Sequence, residues 1–142
     1  MALYFEAAVR YEKMLENGSV KRVTEKYIVD ALSFAEAEAR AIDNITPHIS
    51  GDVEVRAVKR TPIAEIMEAD ADRYFLAKVA FITLDERSGV EKKSVSQMLV
   101  GGSDYDEAKA NLEDAMKGTV SDYELQSLSE TGIVDVFLHV AS

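Results

Sequence analysis

The chain writes one short phrase twice. "TPIAEIM" fills residues 61–67 and "TGIVDVF" fills residues 131–137, 70 positions later in a chain of 142. A repeat at half the chain length restricts the fold to one built from two similar units, because each half must form the same local structure. At the same offset Tyr4-Phe5 matches Tyr74-Phe75, and Ala7, Val9 and Tyr11 match Ala77, Val79 and Phe81. Val20 aligns with Val90, Ile28-Val29 with Met98-Leu99, and Val53-Glu54-Val55 with Tyr123-Glu124-Leu125. In the middle the offset grows to 71. Ser33 and Glu36 read as a capping box, the Ser hydroxyl covering an amide of the first turn while the Glu reaches back. Asp104 and Glu107 repeat it. The extra residue is assigned to Gly101–Ser103, since insertions belong in loops.

Each half then reads strand, strand, helix, strand, short strand. "LYFEAAVRYEKML" alternates, with Phe5, Ala7, Val9 and Tyr11 on one face, and Asn17-Gly18 is a hairpin signal before "SVKRVTEKYIVDA". The helix in "SFAEAEARAIDNI" carries Phe34, Ala37, Ala41 and Ile45 on one stripe. Its counterpart carries Tyr105, Ala108, Leu112 and Met116. "DVEVRAVKR" and "DYELQSLSE" supply the third strands. A helical crossover makes strand three parallel to strand two, so placing it beside strand one gives an antiparallel sheet with one helix on one face. Pro62, which cannot donate to a ladder, and Gly132 mark a corner before "IAEIM" and "IVDVF". The expected fold is α+β: an internally duplicated, pseudo-twofold single domain over 1–142. Its repeats run over 3–67 and 74–137, with the acidic stretch 68–73 as linker.

Composition narrows function. The chain is 47% hydrophobic and 30% charged, the balance of a folded protein, and has no cysteine, which removes disulfides and thiolate metal sites. No apolar run approaches the roughly 20 residues of a membrane span. "MALYFEAAVRYEK" does not read as a signal peptide, so the expected location is cytoplasmic, without a membrane partner. A net charge of -10 opposes nonspecific binding to duplex nucleic acid. His48 and His139, the two histidines, read as solvent residues and not zinc ligands. The acids at Asp70–Asp72 and Ser103–Asp106 lack a calcium-loop pattern. No nucleophile, phosphate loop or cofactor motif is present, so neither an enzyme nor a cofactor is expected. The glycines of "LVGGSD" fit either an anion cradle or an ordinary strand-to-helix turn.

Two faces and one pair attract functional readings. In the first half the face away from the helix is expected to carry Tyr4, Glu6, Arg10, Arg22, Lys26 and Arg56. Together with Arg60 and Tyr74 this makes a stacking and basic stripe for single-stranded nucleic acid. In the second half the same face is expected to be apolar, with Leu76, Ile82, Leu84, Met98 and Leu128 forming an interface with the other half, a second copy or a partner. Glu65 and Asp135 are repeat mates, read as a carboxylate pair at the pseudo-twofold or as acids guarding sheet edges.

The stretches "VRYEK", "VTEKYIVDALSFAEAEARA" and "FITLDERSGVEKK" resemble a family of short proteins from gut Bacteroidetes and their phages, classed only as a domain of unknown function. The resemblance covers nearly the whole chain. It implies a phage or mobile-element setting and carries no catalytic residues to transfer. The duplicated plan is also similar, at fold level alone, to sheet-based single-strand binders built from two halves. The expected function is a non-enzymatic binding protein for single-stranded nucleic acid. The alternatives are a protein-interaction module, as a virion component or an inhibitor of a host enzyme or defence system, and a protein that sequesters a nucleotide-like ligand. Self-association is expected of the apolar face.

Overall fold

The structure is a computed structural model and describes residues 3–138. His139 lies outside the described residues, and His48 is exposed in a single 3-10 turn. The alternating segments form long hairpins: β1 (Leu3–Met14) with β2 (Val20–Ala31), and β5 (Arg73–Leu84) with β6 (Glu91–Gly102). The turns close through Gly18 and Gly89, whose φ angles of 85° and 72° lie in the left-handed region that glycine adopts without strain. The helices are α1 (Phe34–Ile45) and α2 (Tyr105–Ala115), followed by β3 (Glu54–Arg60) and β7 (Asp122–Glu130). The repeated phrase supplies β4 (Ile63–Met67) and β8 (Ile133–Phe137).

Both capping boxes form. The Ser33 hydroxyl accepts the Glu36 amide at 3.1 Å, and the Asp104 carboxylate accepts the Glu107 amide at 2.8 Å. The carboxylates reach back to the Leu32 and Ser103 amides. Each cap contributes about 1 kcal/mol. One helix residue then ties each helix to its hairpin. The Arg40 guanidinium donates to the Asp30 carbonyl and carboxylate, and the Asn111 amide donates to the Gly101 carbonyl at 2.9 Å.

The described residues form two four-stranded sheets, ordered β3-β1-β2-β8 and β4-β6-β5-β7. The β3-β1-β2 and β7-β5-β6 arrangements are antiparallel, with the third strand beside the first, as the crossover argument requires. The fourth strands do not stay with their own repeat. β8 adds parallel to β2 in the first sheet, and β4 adds parallel to β6 in the second. The described residues accordingly form two compact units: 3–62 with 132–138, and Ile63–Thr131. The chain passes between them at Pro62 and again at Thr131. The acidic stretch 68–73, expected to link the halves, lies inside the second unit, where 68–72 join β4 to β5 and Arg73 begins β5.

The repeated threonine sits at these crossing points for a definable reason. Thr61 donates both its amide, at 2.9 Å, and its hydroxyl, at 2.8 Å, to the Tyr4 carbonyl. Thr131 does the same to the Tyr74 carbonyl at the same distances. Each pair of hydrogen bonds pins the end of the third strand to the start of the first, just before the chain departs.

The core of each unit lies between its helix and one sheet face. In the first unit Ala7, Val9, Tyr27 and Val29 pack with Ala41 and Ile45, and Phe137 of the incoming β8 stacks on Tyr27 with ring centroids 5.1 Å apart. In the second unit Phe75, Ala77, Val79, Met98 and Val100 pack with Ala108, Leu112 and Met116, and Met67 of the incoming β4 joins them. Burying each large side chain contributes roughly 1.5–3 kcal/mol, so the exchanged strands are held by apolar contact as well as by their ladders.

Two expectations are corrected by the register. β1 and β5 differ by 70 in number, but β2 and β6 differ by 71. The extra residue therefore lies in the hairpin turn, residues 85–90 against 15–19, and not in Gly101–Ser103. A one-residue slip moves a side chain to the other face of a sheet. Met98 thus corresponds to Tyr27, stands opposite Ala77, and belongs to the helix-side core. Leu128, beyond a bulge between Lys78 and Val79, also stands opposite Ala77 and packs against that core. Neither residue lies on the outer face.

The glycines of "LVGGSD" belong to β6. A Cβ on Gly101 would lie 1.9 Å from the Glu68 carbonyl oxygen, and one on Gly102 would lie 2.7 Å from the Ala108 amide nitrogen. The 68–72 segment and the first turn of α2 approach too closely for any side chain. Packing accounts for both glycines without an anion.

Candidate functional site

The sheet face away from α1 carries Tyr4, Glu6, Arg10 and Glu12 from β1, opposite Asp30, Ile28, Thr24 and Arg22 of β2, with Lys26 opposite Ala8. Lys59 lies across from Glu6 and pairs with it at 3.1 Å, and Glu54 lies across from Arg10. Arg10, Arg22, Lys26 and Lys59 are thus interleaved with Glu6, Glu12, Asp30 and Glu54. A cleft of about 420 Å³ at one end repeats the balance, with Arg10 and Arg22 facing Glu12, Asp52 and Glu54.

Arg56 and Arg60 are not part of that face. A bulge between Ala8 and Val9 makes Arg56 the extra residue of β3, where it pairs with Glu54 at 3.0 Å and lines a groove with Phe34 and Glu38 of α1. Arg60 stands opposite Phe5, on the helix side. Tyr4 is half-buried. Its mate Tyr74 is fully buried, and its hydroxyl donates to the Ala69 carbonyl. The second unit's outer face keeps Leu76 and Ile82 half-buried and Leu84 exposed, with Ala80 and Leu99 fully buried between them. Ile28 and Leu99 are repeat mates buried on this face; the expected insertion at Gly101–Ser103 turns Leu99 to the helix side, whereas Ile28 follows from alternation after Tyr27. Glu65 and Asp135 are exposed on β4 and β8, each an edge strand of a different unit.

One half-buried carboxylate has two phenol partners. Glu25 accepts hydrogen bonds from the Tyr11 and Tyr27 hydroxyls. Burial, then the bond to Glu25, pushes the Tyr11 phenol up to about 12. Burial and the Glu25 charge push Tyr27 up as well. The second unit has Phe81, Ser96 and Met98 at these positions, opposite Ser94, Val79 and Ala77. The trio is therefore a local feature of the first unit.

A site that both units share lies beside the helices. Between α1 and β3, Phe34, Ala35, Glu38, Val55 and Val58 line a groove of about 420 Å³. Between α2 and β7, Tyr105, Lys109, Tyr123, Leu125 and Leu128 line one of about 480 Å³. Phe34 and Tyr105 occupy the first helical position in each and are 55% and 47% exposed, large rings left at the rim. Each makes an edge contact with a core ring, Phe34 with Phe5 and Tyr105 with Phe75. Glu54–Arg60 and Glu124–Glu130 have the same alternation of half-buried and exposed residues. Both strands are sheet edges, pairing on one side only among the described residues, so each groove is flanked by backbone groups able to accept another strand. Sequence reading noted these residues as core stripe and third strand. The groove that helix and edge strand leave between them follows only from how they dock.

No group of three or more metal-ligating side chains occurs among the described residues, and no described helix is long and apolar enough to cross a membrane. Residues 3–139 match the family model described as Domain of unknown function (DUF4494), and the chain belongs to that family. No curated protein and no solved structure shows a significant match to it.

Proposed function

We propose that this protein is a non-enzymatic interaction module that takes polypeptide partners in the grooves between helix and edge strand. The observation that carries this reading is the duplication of the groove itself: an aromatic ring at the helix start, the same two apolar strand positions and the same open edge, present in both units. Addition of an extended segment to a sheet edge beside a helix is a common mode of peptide recognition, with the ladder providing affinity and the groove providing selectivity. The phage or mobile-element setting, as a virion component or an inhibitor of a host protein, rests on the sequence resemblance and fits this class of activity.

Binding of single-stranded nucleic acid has less support. A stacking platform needs exposed rings and an excess of base. Tyr74 is buried, Arg56 and Arg60 lie elsewhere, and the remaining cations alternate with acids. Photo-crosslinking separates the readings. A photoreactive amino acid placed at Glu38 or Lys109, both exposed in the grooves, is expected to capture polypeptide, and one at Lys26 is not. Capture of nucleic acid at position 26, with nothing at 38 or 109, would reverse the assignment.

A further inference from the structure

The two grooves share a geometry but not a chemistry. β3 carries Arg56, Lys59 and Arg60, charges of the kind that guard an edge against pairing. The same positions of β7 hold Gln126, Ser129 and Glu130, so the stretch Leu125–Ser129 has no charge at all. Around it the rim is acidic, with Glu113 on α2 and Asp122, Glu124 and Glu130 on β7, against Lys109 alone on the groove wall. Glu124 and Glu130 already pair with Lys93 and Arg73, whereas Glu113 and Asp122 have no ion pair among the described residues. Two partly exposed tyrosines, Tyr105 and Tyr123, line this groove, and the first unit has Phe34 and Val53 in their place.

Resting on the interaction reading above, we infer that the second unit's groove binds an extended, basic segment of a partner protein, which adds as a further strand along β7. An added strand lies about 4.8 Å from its neighbour, and seven residues at about 3.3 Å each span the length of Glu124–Glu130. Alternate side chains of such a strand point to one face, so apolar residues would enter the groove over Leu125 and Leu128. The intervening cations would point to the other face, toward Asp122 and Glu124, and a cation at the end of the segment would reach Glu113 on the groove wall. The tyrosines offer ring faces to lysine or arginine at the rim. The cations of β3 oppose the same ligand at the first unit, so the occupant discriminates between the two grooves.

The test uses the full chain, isotopically labelled, and a capped seven-residue peptide alternating lysine with valine, beside a glutamate–valine counterpart. The expected result is amide shifts and slowed hydrogen exchange along β7, not β3, with the lysine peptide alone, and weakening as salt rises. The double substitution Glu113→Lys with Asp122→Lys is expected to lower affinity roughly tenfold, the scale of about 1.4 kcal/mol for two rim charges, while the free protein's spectrum keeps its fold. Both side chains are exposed, so the variant tests charge and not packing. If the glutamate peptide occupies β7, or both strands respond equally, the basic-segment inference is overturned and the interaction reading stands. Concentration-dependent protection of β7 without peptide would assign that edge to a second copy and overturn it too. Silence of both grooves toward both peptides, together with failed crosslinking at positions 38 and 109, would overturn both readings.

Discussion

Replacing Gly101 by alanine tests the close approach that organises the second unit. The added Cβ would meet the Glu68 carbonyl oxygen at 1.9 Å and the Ala71 Cβ at 2.6 Å. The first of these is backbone and cannot rotate away, so the 68–72 segment must shift by more than an ångström. Overpacking of this kind costs about 1–3 kcal/mol. The shift also breaks the bond from the Tyr74 hydroxyl to the Ala69 carbonyl, a further ~1 kcal/mol for a buried group. Together these give about 3 kcal/mol, which in a domain of 60–100 residues lowers the melting temperature by roughly 10 °C or more. Gly132→Ala is the matched control: nothing lies within 4 Å of its added Cβ and its φ is outside the left-handed region. It is expected to be neutral or stabilising by a few tenths of a kcal/mol, up to about 1. Thermal unfolding by circular dichroism reads both. A Gly101→Ala protein melting within about 2 °C of the parent would refute the packing of 68–72 over β6.

Thr61→Val and Thr131→Val each remove one hydroxyl bond while keeping the amide bond to the same carbonyl. Each is expected to lose about 1 kcal/mol in chemical denaturation. The losses add in the double variant because the two sites lie in different units. Alkaline titration should show the Tyr11 and Tyr27 phenols ionising late. The Tyr11 phenol is raised from 10.0 to about 12, so its contribution to stability is complete below pH 10 and is lost as pH rises toward 12. Tyrosinate absorbance followed against pH checks this, and Tyr11→Phe should remove one late-titrating group.

The element order, both capping boxes and the placing of the third strand beside the first could all be read from the sequence, because alternation, helical stripes and cap residues act locally. Strand partnership for the last five residues of each repeat could not. "IAEIM" and "IVDVF" carry the same pattern and suit either sheet, so nothing in their composition says which hairpin each one joins. The face of Met98 was lost for a narrower reason. The hairpin turns differ by one residue, and an alignment that defers the insertion to Gly101–Ser103 inverts every side chain of β6. Of the candidate residues, Arg10, Arg22 and Lys26 do share a face, but the acids between them come from facing strands and appear only once register is known. The grooves needed both helix docking and an edge strand, which no linear pattern displays.

Two similar units trade their last strands at a threonine written twice. Inter-strand nuclear Overhauser effects test this directly. Exchange predicts contacts from Val136 to Ile28 and from Ile66 to Leu99, the register partners across β8–β2 and β4–β6. Contacts from Val136 to Leu99 and from Ile66 to Ile28 would place each fourth strand in its own repeat and contradict the account.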